Sequence, residues 1–310
     1  MRRNRILQSQ SGVALILTIF IVALLTITVF DFLYNSWIQA TLATSYRDET
    51  KAYFAARSGQ EVAKRILIAD AKSKIKLDTL SEEWAQKAIP LPIDDTYAFL
   101  TIQDESGKIN LNKLTSDKGY RNDKWVALFT RLLDQLGLDY TLAASIVDWS
   151  DKNSLISTGG AEDGYYLSLK NPYHSKNSRL DSLDELYLIK GITKEVMTKL
   201  RPHVTLWGDG PININTATPY ALLALDEAMT NGLVKSIVAK RLIRPFKKRE
   251  DIKTIAGMAD IYPNIALLIN VKSDYYSVDT SATFGESSRS IHAVYRRNAA
   301  GTKTLFYKTY

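Results

Sequence analysis

Cysteine is absent from the 310 residues, and histidine occurs only three times. The first absence removes thiol nucleophiles, disulfides and every cysteine-ligated metal site. The second leaves His174, His203 and His292 in different regions, none at ligand spacing from another and none beside a serine–aspartate motif. Neither a Walker loop nor a dinucleotide fingerprint occurs. On these grounds no enzyme is expected. Proline is scarce, and the first one in the chain is Pro90; between Val13 and Ala69 the only glycine is Gly59. A segment so free of breakers predicts continuous helix. Disorder is excluded as the main character, because 45% of the residues are apolar and 10% aromatic. The net charge of +7 argues only weakly for an acidic partner, since the cations are scattered along the chain.

Residues 13–30 form an 18-residue run without charge, proline or glycine, long enough to cross a hydrocarbon core. Arg2, Arg3 and Arg5 precede it and Asp31 follows. Counting cations alone, this bias places Met1 in the cytoplasm and the remainder outside. The alternative is a cleaved secretory signal, but the run exceeds an h-region of about 7–15 residues and no Ala-x-Ala step ends it. Helical character continues instead, and an unbroken helix to Ala69 would be about 85 Å long at 1.5 Å per residue. Its second part, with Ala52, Ala55, Ala56, Val62, Ala63, Ile66 and Leu67, is expected to lay an apolar stripe on a globular domain.

The proline-containing stretch 89–93 is read as ending this helical region. Residues 97–103 then read as a strand, and 275–283, 290–297 and 304–310 as an antiparallel meander rich in Tyr, Val, Thr and Phe. Between these parts, roughly 110–270, the pattern is helical. The fold class is therefore α+β, with a helical domain inserted into an α-then-β scaffold.

The insert contains a degenerate repeat. Ile109-Asn110-Leu111-Asn112 matches Ile212-Asn213-Ile214-Asn215. Asp184-Glu185-Leu186, Ile189 and Gly191-Ile192 match Glu250-Asp251-Ile252, Ile255 and Gly257-Met258 at a constant offset of 66. Each unit reads as helix–turn–helix packing, with Gly191 and Gly257 in backbone angles closed to other residues. Such units resemble helix-hairpin-helix modules, many of which bind DNA. Lys235, Lys240, Arg241, Arg244, Lys247, Lys248 and Arg249 favour that reading. Leu225-Asp226-Glu227-Ala228-Met229, where a glycine hairpin would be needed, opposes it, and nucleic acid is not expected as a partner. The alternative is a motif kept for packing.

The first unit also carries an acidic segment. Asp148-Trp149-Ser150-Asp151-Lys152-Asn153 is followed by Gly159-Gly160-Ala161-Glu162-Asp163. Carboxylates at this spacing converge when the chain turns, and hard oxygen ligands suit Ca²⁺, with 6–8 oxygens in flexible geometry, better than Mg²⁺. The competing reading is a solvated turn with capping aspartates.

Two resemblances organise these features. The junction Gln10-Ser11-Gly12-Val13-Ala14-Leu15 resembles a type IV prepilin leader, which implies cleavage by a prepilin peptidase between Gly12 and Val13. Most such subunits carry a glutamate at the fifth mature position, and here that position is Leu17. The acidic segment, preceded by Gly107-Lys108-Ile109-Asn110-Leu111-Asn112 and followed by Asp184-Glu185-Leu186, resembles the general secretion pathway protein K family. These are large minor pseudopilins of type II secretion systems. The resemblance covers nearly the whole chain and implies a pilin-like fold: leader 1–12, membrane part of the helix 13–34, scaffold 35–108, inserted helical domain 109–272 and C-terminal strands 273–310. It implies calcium held by Asp148, Asp151 and Glu162, with Asn153 where an aspartate is frequent and Asp163 as a further ligand. It also implies an inner-membrane anchor, a periplasmic globular part and a place at the pseudopilus tip. The partners would be other minor pseudopilins, with the major pseudopilin below. A type IV pilus minor pilin and a DNA-uptake protein are the alternative functions.

Overall fold

The computed structural model describes residues 11–73, 77–298 and 300–310. Most of the 1–12 leader therefore lies outside the described residues. Helix α1, Ser11–Ala71, is unbroken, as expected where nothing in the sequence interrupts hydrogen bonding along the helix. Its first half is exposed all round and includes a stretch long and apolar enough to cross a membrane. Its second half buries Ala52, Ala55, Ala56, Ala63 and Leu67, while Val62 and Ile66 pack at the margin. Small residues at this spacing bring the helix close to the sheet it covers. A Cβ at Gly59 would meet Thr280 Cγ2 at 3.0 Å, so only glycine fits there without a shift.

That sheet has five antiparallel strands, with residues 89–93, 96–104, 275–284, 287–298 and 301–309 side by side in that order. Strands β1 (Ile89–Ile93) and β2 (Thr96–Asp104) precede the helical insert. Strands β7 (Tyr275–Phe284), β8 (Ser287–Asn298) and β9 (Gly301–Thr309) follow it. The proline stretch 89–93, read from the sequence as a terminator, is a strand. Pairing runs from Ile89↔Leu100 to Ile93↔Thr96. It lies at the sheet edge, where two prolines without N–H groups cost nothing on the unpaired side. Ile89, Leu91 and Ile93 turn toward the core and the prolines away from it.

Gln60 sets the register of α1 on this sheet. Its buried Nε2 donates to the carbonyls of Val278 (3.1 Å) and Ile291 (3.1 Å) and to Thr280 Oγ1 (3.0 Å), and its Oε1 accepts from Tyr295 Oη at 2.9 Å. Gln60→Leu strands the buried Tyr295 hydroxyl. Loss of about 1–3 kcal/mol is expected, read as a lowered urea midpoint with unchanged slope.

The insert consists of two units, each closed by a two-residue parallel ladder. In the first, β3 (Ile109–Asn110) pairs with β4 (Val204–Thr205). Between them lie α2 (Asp123–Gln135), α3 (Thr141–Ser150), α4 (Asp163–Tyr166), a 3-10 turn (Leu183–Leu188) and α5 (Lys194–Leu200). In the second, β5 (Ile212–Asn213) pairs with β6 (Ile269–Asn270). They enclose α6 (Pro219–Leu223), α7 (Asn231–Ile243), a 3-10 turn (Arg249–Thr254) and α8 (Met258–Ile265). The units reuse the same bonds. Asn112 Oδ1 accepts from Leu180 N, and Asn215 Oδ1 from Phe246 N. Glu185 accepts from Asp181 N, and Asp251 from Lys247 N. Gly191 and Gly257 have φ of +85° and +84°. One apolar core runs through both units, and Arg131 of α2 caps the carbonyls of Ala224 and Leu225 after α6.

The end of β2 joins scaffold and insert. Adjacent strand residues face opposite sides, so Asp104 and Glu105 reach in different directions. Asp104 accepts from Thr216 Oγ1 and Ser273 Oγ, both at 2.5 Å, and so holds the second unit. Glu105 accepts from Thr205 Oγ1 (2.5 Å), Ser277 Oγ (2.7 Å) and Lys108 Nζ (2.6 Å), and so holds the first. Burial pushes the Asp104 carboxyl up to about 6, against the hydrogen bonds from Ser273 and Thr216 that favour its ionised form.

Candidate metal centre

Helix α3 ends at Ser150, and its last turn presents Asp148 and Asp151 three residues apart, on one face. Asp151 is the C-terminal cap, its N–H donating to the Val147 carbonyl. The chain then turns back through residues 152–161 and delivers Glu162 at the start of α4. All three side chains are buried. Asp148 Oδ2 accepts from Ser157 N at 3.0 Å, and a Cβ at Gly160 would lie 1.9 Å from it. Glycine at 160 is thus what lets the returning loop pass over the carboxylate.

Two oxygens are left over. Asp148 Oδ1 and Glu162 Oε1 are buried and, among the described residues, have no hydrogen-bond partner. Among the described residues no lysine or arginine pairs with Asp148, Asp151 or Glu162. Burial first, then the charges of Asp148 and Asp151, push the Glu162 carboxyl from 4.5 up to about 7. Asp151 is also raised, mainly by burial, with Asp148 adding to it. Buried carboxylates with unfilled acceptor capacity and mutual repulsion match a hard divalent cation bound through oxygen. The donor set therefore fits Ca²⁺.

The structure distributes the other two sequence candidates differently. Asp163 Oδ1 accepts from Ser175 N and Oγ, and Oδ2 faces His174 Nδ1 at 2.8 Å. These bonds, that to His174 first, hold its carboxyl down at about 2. Asn153 is exposed, its Oδ1 accepting from Leu155 N and its Nδ2 donating to Asp151 Oδ2 at 2.8 Å. Asp163 thus fixes the neighbouring strand of loop, and Asn153 orients Asp151. The residue that the sequence did not bring forward is Ser175, whose Oγ reaches Glu162 Oε2 (3.3 Å) and Asn177 Oδ1 (3.4 Å). Its only signal was Asp163 earlier in the chain, which carries no spacing rule.

A second acidic group, Asp70, Asp78 and Glu82, lies where α1 ends. It was not foreseen, because the residues are spread along a loop. Arg297 of β8 answers it, pairing with Asp70 and Asp78 and donating to the Ser273 carbonyl. Tyr276 Oη donates to Asp78 Oδ1 at 2.6 Å, and Trp84 Nε1 to Glu82 Oε2 at 2.6 Å. This group is closed by protein donors, whereas the Asp148 group is not.

Part of the basic run of the second unit is taken up within the protein. Arg241 is buried and donates to the carbonyls of Ile214 and Ala217. Lys240 bonds Thr254, and Arg249 pairs with Glu250.

Comparison with known proteins decides the family. Residues 107–209 and 212–271 match two models, both described as type II secretion system (T2SS), protein K. The chain belongs to the type II secretion system protein K family. It is a minor pseudopilin of that system. Protein K of Aeromonas hydrophila is 27% identical over 309 residues, covering 93% of each chain. Protein K of Pseudomonas aeruginosa is 26% identical, covering 95% of this chain and 91% of that one. In structure, the chain matches one from the GspK-GspI-GspJ complex of the enterotoxigenic Escherichia coli type 2 secretion system. The TM-score is 0.75 at 20% identity, covering 86% of this chain and 99% of the other. That likeness extends to the α+β fold with its long first helix and antiparallel sheet. The boundary between the two family models, at 209 and 212, falls where the structure passes from β4 to β5.

Proposed function

We propose that this protein K family member occupies the tip of the pseudopilus and starts its assembly together with other minor pseudopilins, with the major pseudopilin added beneath. The observation that carries this reading is Leu17. A carboxylate inside lipid is costly unless paired. A subunit with a neighbour above it has an amino terminus to neutralise, and one at the top has none. The bulk of the two-unit insert agrees, since a large domain is hard to accommodate where subunits stack overhead. GspI and GspJ, which accompany GspK in the enterotoxigenic Escherichia coli complex, indicate the kind of partner.

The same reading places residues 13–34 of α1 in the inner membrane, the globular part in the periplasm, and prepilin peptidase cleavage between Gly12 and Val13. Calcium, held by Asp148, Asp151 and Glu162, would neutralise their repulsion and fix the returning loop against α3. The two units are proposed as helix-hairpin-helix-like modules kept for packing. Arg241 turned into the core, Lys240 bonded to Thr254 and Arg249 paired with Glu250 support that over DNA binding. The role is mechanical: anchoring, nucleation and support of the growing filament.

Leu17→Glu tests the position. Secretion and pseudopilus number are expected to stay level or fall. A marked rise in assembly would show that the subunit has a neighbour overhead and would remove the tip assignment. Co-purification of the full chain with candidate minor pseudopilins, unchanged by Leu17→Glu, tests the partners.

A further inference from the structure

The C-terminal end of α7 is a corner with aliphatic side chains exposed to solvent. Leu242 is 70% exposed and Ile243 is 88% exposed. Lys235 precedes them by seven and eight residues and so lies on the same side of the helix. Arg244, Lys247 and Lys248 follow directly and are exposed. Among the described residues none of these four cations pairs with a carboxylate: Asp251 Oδ2 is engaged by the backbone N–H groups of Lys247 and Lys248. Glu250 is taken by Arg249 and Tyr262. The patch continues past Arg249, which donates to the Ala266 carbonyl, to Leu267, also exposed.

Protruding aliphatics bordered by unpaired cations are complementary to a fluid anionic surface, which admits the apolar tips and neutralises the rim. Duplex nucleic acid offers the charge but no apolar layer. An acidic protein would need a preformed apolar socket matched to these side chains as well as the charge. We infer that this corner is a peripheral docking site for an anionic phospholipid bilayer.

Because the chain has no cysteine, Ile243→Cys provides a single attachment point for an environment-sensitive fluorophore. The full chain, held in neutral phosphatidylcholine nanodiscs, is mixed with phosphatidylcholine vesicles with or without phosphatidylglycerol. A blue shift is expected only with the anionic vesicles. Partitioning should weaken roughly tenfold or more with Lys247→Glu and Lys248→Glu together, and also on raising salt with the lysines intact. An unchanged melting temperature of the labelled chain checks its fold. No shift with anionic vesicles, an equal shift with neutral ones, or a shift produced only by a DNA duplex or an acidic protein would overturn the assignment. The salt arm needs no second substitution and decides the question even if the charge reversal fails to fold.

Discussion

Asp151→Ala combined with Glu162→Ala should lower the melting temperature in calcium and leave it unchanged or raised in chelator. The asymmetry follows from the site itself. Without a cation, Asp148, Asp151 and Glu162 repel one another in a buried setting, so removing two of them relieves strain. With a cation bound, they provide its ligands. A ligand at about one hundred times its dissociation constant stabilises by about 2.7 kcal/mol. In a chain of this size that corresponds to roughly 4–5 °C. Equal loss in both conditions would mean that the segment is only a structural turn.

The pH dependence gives an independent check. In chelator, the folded Glu162 carboxyl titrates near 7 instead of 4.5. The native state therefore holds a proton that the unfolded chain has released across that interval. Its contribution to stability is complete below about 4.5 and lost as pH rises through about 7. Asp104, raised to about 6, acts in the same direction. Calcium-free protein should thus become more stable on acidification from pH 8 to 5. Calcium competes with the Glu162 proton, so its addition should flatten or reverse that slope. The double variant should lose the Glu162 part and keep the parts from Asp104 and Glu82, measured as melting temperature against pH in chelator.

Arg297→Leu should be the most destabilising single change in the scaffold, by about 3–5 kcal/mol. Arg297 is 6% exposed and joins three parts of the chain: Asp70 at the end of α1, Asp78 in the following loop and the carbonyl of Ser273 before β7. Removing it leaves buried carboxylates facing one another. Burial and neighbouring acids already raise Glu82 to about 7, and Asp70 is raised despite Arg297. Adding Asp78→Asn to Arg297→Leu should recover part of the loss, because one of the stranded charges is gone. Urea denaturation of the single and double variants measures both steps. A neutral Arg297→Leu would show that the cluster is solvated and uncoupled from the fold.

Periodicity and punctuation made several elements legible. The long helix was readable because nothing between Val13 and Ala69 except Gly59 disfavours it, and the buried alanines recur at helical spacing. The C-terminal strands were readable from their Tyr, Val, Thr and Phe content. The offset of 66 anticipated the matching φ values of Gly191 and Gly257, which only a residue without a side chain adopts freely. Strand β1 was missed because proline signals termination locally, and only pairing with β2 reveals an edge where its missing N–H is harmless. Asp148, Asp151 and Glu162 stood out as a spaced acidic motif. Spacing could not say that Asn153 faces outward, or that Asp163 is committed to His174 and Ser175, since both depend on where a later loop passes.

The amino-acid order alone determined the apolar anchor run, the family motifs, the repeat and the absence of thiol chemistry, because each is a property of neighbours along the chain. Tertiary structure decided which carboxylates are answered. Asp70 and Asp78 meet Arg297, more than two hundred residues away, while among the described residues Asp148 and Glu162 meet no cationic side chain. Both groups are acidic clusters in space. The difference is electrostatic compensation in a desolvated space, and that is set by which distant backbone the fold brings alongside.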